Sequence, residues 1–162
     1  MSLTESSRNK VLSKVIAFAN AHSGRVIIGV SETDDLPSRA DAIVPIPNCH
    51  DLAERLAHAA RDVVSPQIPL LAVRGVSEQG ETSGCVVIDV HESPLAPHRL
   101  EAGERHCYVR RADRAEPMTM REIQGLTVDR LRGVERVAAR LEALDEIVPR
   151  MRGDSTRILI VA

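Results

Sequence analysis

The chain has 162 residues, which is enough for one compact domain with an appended segment and too few for two domains with large cores. Its 21 basic and 23 acidic side chains nearly cancel, at a formal net charge of -2, so bulk charge gives no attraction to nucleic acid or to an anionic membrane. One phenylalanine, one tyrosine and no tryptophan leave no aromatic platform for the bases of a single strand. Any nucleic-acid binding must therefore come from a local basic patch that contacts phosphates.

Cysteine usage and hydropathy indicate a soluble protein. The three cysteines, Cys49, Cys85 and Cys107, are an odd number without a close pair, which fits a reducing compartment better than a disulfide framework. No stretch approaches the length of a transmembrane helix, and the first residues lack the pattern of a signal peptide. We expect a cytoplasmic location and no membrane partner.

The first third of the chain predicts a helix, a strand and a loop. Apolar residues recur with helical spacing over residues 11–19, and Asn20, in a left-handed conformation, and Gly24 are expected to end this helix. The β-branched run over residues 25–30 predicts a central buried strand. Residues 31–48 are rich in Asp, Pro and Ser, which predicts a loop.

Further elements follow with clear boundaries. Asp51 is expected to cap a second helix that ends before Pro66. Residues 70–73 and 85–90 then predict a long-loop hairpin, and residues 107–110 predict another strand. Thr119 with Glu122 three positions later is a capping-box pattern, which opens a short helix through Leu126. The predicted fold is an α/β (α+β) domain with a mixed sheet flanked by helices, in the order α-β-α-β-β-β-α.

The end of the chain predicts an amphipathic helix over residues 128–148. Its apolar residues lie near one face, so residues 127–150 are expected to serve as a connector that packs against another domain or as a dimerisation helix, which would make the chain a homodimer. The alternative is that this helix docks on its own core. Residues 158–162 form an apolar, strand-like run, which suggests that residues 151–162 begin a following segment.

Three motifs in a fixed order resemble those of a known family. They are Ala17-Phe18-Ala19-Asn20 with Ile27-Ile28-Gly29-Val30, then Pro94-Leu95-Ala96-Pro97-His98, then Tyr108-Val109-Arg110. The order is similar to that of the Schlafen-type, Alba-like DNA-binding domain family, over residues 4–126. The resemblance implies a nucleic-acid-binding module, with duplex DNA as its partner, in a bacterial transcription regulator. It also supports Arg110 as a contact residue.

Six basic residues are candidates for phosphate contacts. An arginine binds phosphate oxygens through two parallel hydrogen bonds, and each neutralised phosphate releases counterions. Strand alternation places Arg111 on the opposite face from Arg110. The alternative for Arg110 is an internal ion pair with Asp89 or Glu116. The candidates are Lys10, Lys14, Arg25, Arg110, Arg111 and Arg114.

The resemblance also raises a nuclease alternative. Catalytic members have an acidic site for a divalent cation, Mg or Mn, and Glu5, Glu32 and Asp34, with neighbouring Asp35, are the matching acids here. One glutamate has no counterpart, and Ser23 replaces the first glycine of the usual pair. We therefore expect no catalysis and no cofactor, and Glu32 and its neighbours are equally explained as a solvated acidic loop.

Two further possibilities remain. Cys49-His50 and His106-Cys107 offer zinc-ligand types, but neighbouring residues on a strand point to opposite faces, so we expect no metal site. His98 is expected to fix its loop by a hydrogen bond to the backbone. The third function class is a protein assembly domain that binds no nucleic acid.

Overall fold

The protein is described by a computed structural model over residues 4–34 and 39–147, and the side chains of residues 144–147 lie outside the description. The described residues form two compact units, which divide between Thr127 and Val128. The helices are α1 Glu5–Asn20, α2 Cys49–Val63 and α3 Met120–Ile147. The strands are β1 Gly24–Ile28, β2 Val30–Glu32, β3 Ala40–Ile43, β4 Val64–Ser65, β5 Leu71–Ser77, β6 Gly84–Val90, β7 Arg99–Leu100, β8 Tyr108–Arg111 and β9 Arg114–Pro117.

The α+β class is confirmed, and the strands pair as small antiparallel ladders. The largest is a three-stranded sheet in the order β1-β6-β5, joined by two-stranded pairs of β2 with β3, β4 with β7, and β8 with β9. The expectation that residues 25–30 form a central strand is wrong, because β6 holds the central position. This run also breaks at Gly29, whose φ of 102° separates β1 from β2.

The core lies on one face of this sheet. Strand alternation turns Val86, Ile88 and Val90 of β6 inward, where they meet α1 and α2. A second cluster joins Leu12 and Ile16 of α1 to α2 and β7. Each fully buried aliphatic side chain of this size contributes about 1.5–3 kcal/mol relative to leaving it exposed. These contacts fix α1, which carries the residues of the candidate site.

Two predictions about residues 31–51 are wrong. The expected loop contains the hairpin of β2 and β3, whose strands are mostly exposed and so lack an apolar alternation to reveal them. The cap of α2 is Asn48, in a left-handed conformation, and Asp51 lies inside the first turn. A carboxylate there still interacts favourably with the positive end of the helix dipole.

The capping box at the start of α3 is confirmed. The Glu122 amide donates to Thr119 Oγ1 at 3.3 Å, and the Thr119 amide donates to Glu122 Oε2 at 2.7 Å. The helix then continues to Ile147, so the predicted short helix and the helix predicted over residues 128–148 form one element over the described residues. Residue 148 and the run 158–162 lie outside the described residues.

The chemistry of Glu122 gives the start of α3 a dependence on pH. The backbone amide of Thr119, then the guanidinium of Arg111, then the Thr119 hydroxyl stabilise the carboxylate and lower the pKa of Glu122 from 4.5 to about 2. Because the folded pKa lies below the unfolded one, this contribution to stability is present above about pH 4.5 and is lost as the pH falls to about 2.

Glu122→Gln is therefore expected to destabilise the protein at neutral pH, with a deficit that shrinks below about pH 4.5. Urea unfolding of both chains over a pH series measures that deficit. A deficit that stays constant across the series would contradict this assignment.

None of the helices in the described part of the chain combines the length and apolarity that a membrane span requires.

Candidate nucleic-acid interface

Asn20, the last residue of α1, joins three separate parts of the chain. Its side chain is buried, and Oδ1 accepts a hydrogen bond from the backbone amide of His98 at 2.7 Å. Its Nδ2 donates to the carbonyl of His98 at 3.0 Å and to the carbonyl of Tyr108 at 2.9 Å. The prediction of a left-handed Asn20 is wrong, because this residue ends the helix and uses its side chain for long-range bonds. The three motifs of the resemblance thus meet at one amide.

The segment before β7 is docked onto the end of α1. The amide of Ser93 donates to the carbonyl of Ala19 at 3.0 Å. His98 is fully buried, and its Nδ1 forms a 2.7 Å hydrogen bond with the carbonyl of Pro66. The prediction that His98 fixes its loop through the backbone is confirmed. Buried polar groups need such partners, and here they hold the segment against α1.

Arg110 lies over the ring of Phe18. Its guanidinium carbon is 4.9 Å from the ring centroid, and its Nε donates to the carbonyl of Ala112 at 3.1 Å. Cation–π attraction and the Nε hydrogen bond together hold the planar guanidinium in one orientation. Among the described residues, no ion pair engages Arg110. Its terminal nitrogens remain available to an anion.

The position of Phe18 depends on the absence of a side chain at Gly24. A Cβ at Gly24 would overlap the ring of Phe18, so the ring lies directly on the backbone where β1 begins. The ring also meets the guanidinium of Arg110. Phe18 is therefore a support for the arginine, and the face under the guanidinium is not available to a base.

Arg111, the next residue on β8, differs from Arg110 because its charge is paired with carboxylates. Arg111 points away from Arg110 and forms ion pairs with Glu116 at 2.7 Å and with Glu122. These two carboxylates raise the pKa of Arg111. Arg114, opposite Arg111 in the ladder, is largely exposed and lies 3.8 Å from Asp113. Glu116, which the sequence offered as a partner for Arg110, is thus taken by Arg111.

The other offered partner, Asp89, is also occupied. Asp89 is paired with Arg25 and, at 3.1 Å, with Arg74 on the face of the sheet opposite the core. The hydrogen bond from Arg25 holds the pKa of Asp89 below its ordinary value. Arg25 is over half exposed, but its charge is shared with this carboxylate.

Two lysines of α1 extend the basic surface. Lys10 and Lys14 are exposed, and Lys14 precedes Phe18 by one helical turn, so their side chains are neighbours on one face of α1. No ion pair within the described ranges 4–34 and 39–147 involves either lysine. Together Lys10, Lys14 and Arg110 form what we call the α1 basic ridge.

The candidate acids are spread over separate elements. Glu5 begins α1 and pairs with Arg8 at 3.5 Å, Glu32 ends β2, and Asp34 follows in a bend. Asp35 lies outside the described residues. Where the structure describes the chain, it places no three His, Cys, Asp or Glu side chains together in an arrangement that could hold a metal ion.

The zinc-type residues have other roles. Cys49 is buried in the core, and His50 bonds to the Ser77 hydroxyl at 3.1 Å. His106 faces Glu104 at 3.4 Å, and burial raises the pKa of the Cys107 thiol. The two dipeptides thus serve packing and local hydrogen bonds.

Sequence reasoning missed Phe18 as the support of Arg110 and Asn20 as the residue that joins the motifs. Their partners are distant in the chain, so helical spacing alone did not reveal them. The available signal was a polar Asn20 among the buried residues of α1.

Comparison with known proteins agrees with the motifs. A family model described as Schlafen, AlbA_2 matches residues 2–119. Searches of curated proteins and of solved structures give no match. The matched range is most of the chain and contains Asn20, His98 and Arg110. The chain therefore belongs to the Schlafen, AlbA_2 family.

Proposed function

We propose that this protein binds nucleic acid without catalysis and that the α1 basic ridge contacts the phosphates of duplex DNA. Membership of the Schlafen, AlbA_2 family suggests nucleic-acid binding. The observation that carries the proposal for this site is the guanidinium of Arg110. It is held over Phe18 by its Nε hydrogen bond, and none of the described carboxylates forms an ion pair with its terminal nitrogens. That geometry suits two parallel hydrogen bonds to one phosphate.

Fixing the guanidinium before binding favours affinity. A free arginine side chain loses rotamer entropy when it is immobilised, at a cost of about 0.5–1.5 kcal/mol. The Arg110 side chain has already lost much of this rotamer entropy before binding, because the contact with Phe18 and the bond to Ala112 hold it in place. Lys14, one turn away from Phe18, adds a second charge along the same line.

The favoured partner is a duplex because the ridge offers charge and no stacking surface. Phe18 is covered by Arg110, and Tyr108 is half-buried against the second core cluster. Single strands are bound largely through stacking on free aromatic rings. Phosphate contacts position a protein on a duplex without reading its sequence. We expect little sequence preference.

The remaining candidates are assigned to different roles. Arg25 and Arg111 are compensated by carboxylates and stabilise the sheet and the start of α3. Arg114, which has only a long contact to Asp113, is a peripheral phosphate contact.

Duplex binding is expected to weaken steeply with salt. The three contacts of the α1 basic ridge and the peripheral contact of Arg114 release counterions. The logarithm of the binding constant should therefore fall against the logarithm of the salt concentration with a slope of about -3 to -4. Fluorescence anisotropy with a labelled duplex at several potassium chloride concentrations measures this slope. Duplexes of two unrelated sequences serve as the control for sequence preference. A slope near zero, or no binding at low salt, would refute the proposed function.

We also propose that two copies associate through α3. Apolar side chains of α3 are between 44% and 61% exposed at Val128, Leu131, Val134, Val137 and Leu141. A stripe of this kind on one helix is typical of a surface that a partner covers. A second copy would supply the same stripe and a second basic ridge, which raises affinity for a long duplex through multivalency.

Leu141→Asp is expected to convert this dimer to a monomer, because a charge buried in the paired stripe is strongly unfavourable. Light scattering at high micromolar concentration gives the mass of each chain. Ala143→Asp, on the side of α3 opposite Val134 and Leu141, adds the same charge and should remain dimeric. A monomeric unmodified chain would rule out the proposed dimer.

A further inference from the structure

We propose that Asn20 is a positioning residue for Arg110. Its side-chain amide holds β8 against the last turn of α1, so that the guanidinium of Arg110 comes to rest on Phe18. This inference rests on the proposed function, because it concerns the arginine assigned to bind phosphate.

Asn20 is connected to Arg110 through Tyr108 on β8 and to Phe18 through the last turn of α1. Asn20 Nδ2 donates to the carbonyl of Tyr108 at 2.9 Å, which ties the first residue of β8 to α1. Arg110 lies two positions further along β8, so its side chain leaves the strand on the same face as that of Tyr108. Phe18 lies two positions before Asn20 in the same turn of α1. One hydrogen bond therefore sets the relative position of the turn that carries the ring and the strand that carries the guanidinium.

The side-chain amide of Asn20 also holds the segment that contains His98. Asn20 exchanges hydrogen bonds with the backbone of His98 in both directions, at 2.7 Å and 3.0 Å. The side chain is 3% exposed, so water is not available to replace these bonds. Because one amide satisfies both segments, β8 cannot move relative to α1 without leaving buried polar groups unpaired.

Asn20→Asp removes the two donors and keeps the shape. A carboxylate still accepts from the His98 amide, but it faces the carbonyl oxygens of His98 and Tyr108 with no proton to offer. Repulsion between these oxygens should displace β8 while the apolar core stays the same. At low pH the protonated carboxyl regains one donor, so part of the effect should be reversed.

Two readouts separate positioning from a general loss of structure. In nuclear magnetic resonance, the side-chain protons of Arg110 carry a ring-current shift from Phe18, which is the only phenylalanine in the chain. Amide spectra of residues in the core report whether the fold persists.

The decisive experiment is a double-mutant cycle on affinity for a labelled duplex. Asn20→Asp is expected to weaken binding by about tenfold or more, as Arg110→Ala does, and the double variant should be no weaker than Arg110→Ala alone. Asn20→Asp should also lose the ring-current shift of Arg110. Ser6→Asp adds the same charge to the exposed first turn of α1, far along the helix from Asn20, and is expected to leave the affinity and the ring-current shift in place.

Several results would overturn the inference. Losses that add in the double variant would show that Asn20 acts independently of Arg110, and an unchanged ring-current shift would show that it does not place the arginine. If Arg110→Ala binds the duplex as well as the unmodified chain does, the proposed function fails. The ring-current shift in Asn20→Asp still shows whether Asn20 holds the Arg110 guanidinium on Phe18. Should Asn20→Asp fail to fold, Asn20→Ser, whose shorter hydroxyl does not reach the Tyr108 carbonyl, is tested by the same criteria.

Discussion

Arg110→Ala is expected to lower the affinity for duplex DNA by about tenfold or more at physiological salt. The substitution removes a charge that no described carboxylate compensates and a guanidinium whose orientation is already set by Phe18 and Ala112. It also removes one phosphate contact, so the salt slope should become smaller by about 1. The substitution also removes the contact with Phe18 and the bond to the Ala112 carbonyl, but no contact of the buried core, so circular dichroism is expected to show the same fold.

The matched control for this variant is Arg25→Ala. It removes the same charge from an exposed position, but from an arginine that is paired with Asp89, so the affinity should change much less. Arg114→Ala, at the tip of the hairpin, should give an intermediate loss. Fluorescence anisotropy of all three variants with one duplex ranks them. If Arg25→Ala weakens binding more than Arg110→Ala, the interface lies on the outer face of the sheet and the α1 basic ridge is not the contact.

Gly84→Ala is expected to destabilise the domain by about 1–3 kcal/mol, the usual cost of overpacking. Gly84 begins β6, and its amide and carbonyl both bond to Ile46, at 3.0 Å and 2.7 Å. A Cβ at this position would lie 2.9 Å from Ser77 Cα and still closer to the carbonyl oxygen of Val76. These are backbone atoms of the neighbouring strand, so the sheet itself would have to move.

Gly125→Ala provides the comparison. A Cβ at Gly125 meets nothing within 4 Å, and the residue lies in α3, where alanine is the better helix former by up to about 1 kcal/mol. This variant should therefore be as stable as the unmodified chain or more stable. Urea unfolding followed by circular dichroism measures both. Equal midpoints for Gly84→Ala and the unmodified chain would mean that β5 and β6 are less closely packed than described.

The sequence predicted those parts of the fold that local signals control. The helical spacing of residues 11–19 and the capping box of Thr119 both correspond to observed elements, because each depends on neighbours within one turn. The hairpin of β2 and β3 was missed because its strands are exposed and carry no alternating pattern. The break expected near Leu126 is absent because no residue there ends α3.

The candidate site was predicted in part. Alternation along β8 correctly separated Arg110 from Arg111, since the period of a strand is a local property. What each side chain meets was not predictable, because the partners come from other elements. Glu116 was offered as a partner for Arg110, but the structure places it beside Arg111.

The bonds of Asn20 have a consequence for how the protein folds. They join residues separated by 78 and 88 positions, so they close long loops of the domain. Closing such loops costs entropy before any contact is gained, and local elements such as α1 and the hairpin of β5 and β6 form without that cost. We therefore expect the contacts of Asn20 to form late in folding. In that case a partly folded chain that has formed its helices and the hairpin of β5 and β6 still lacks the assembled α1 basic ridge.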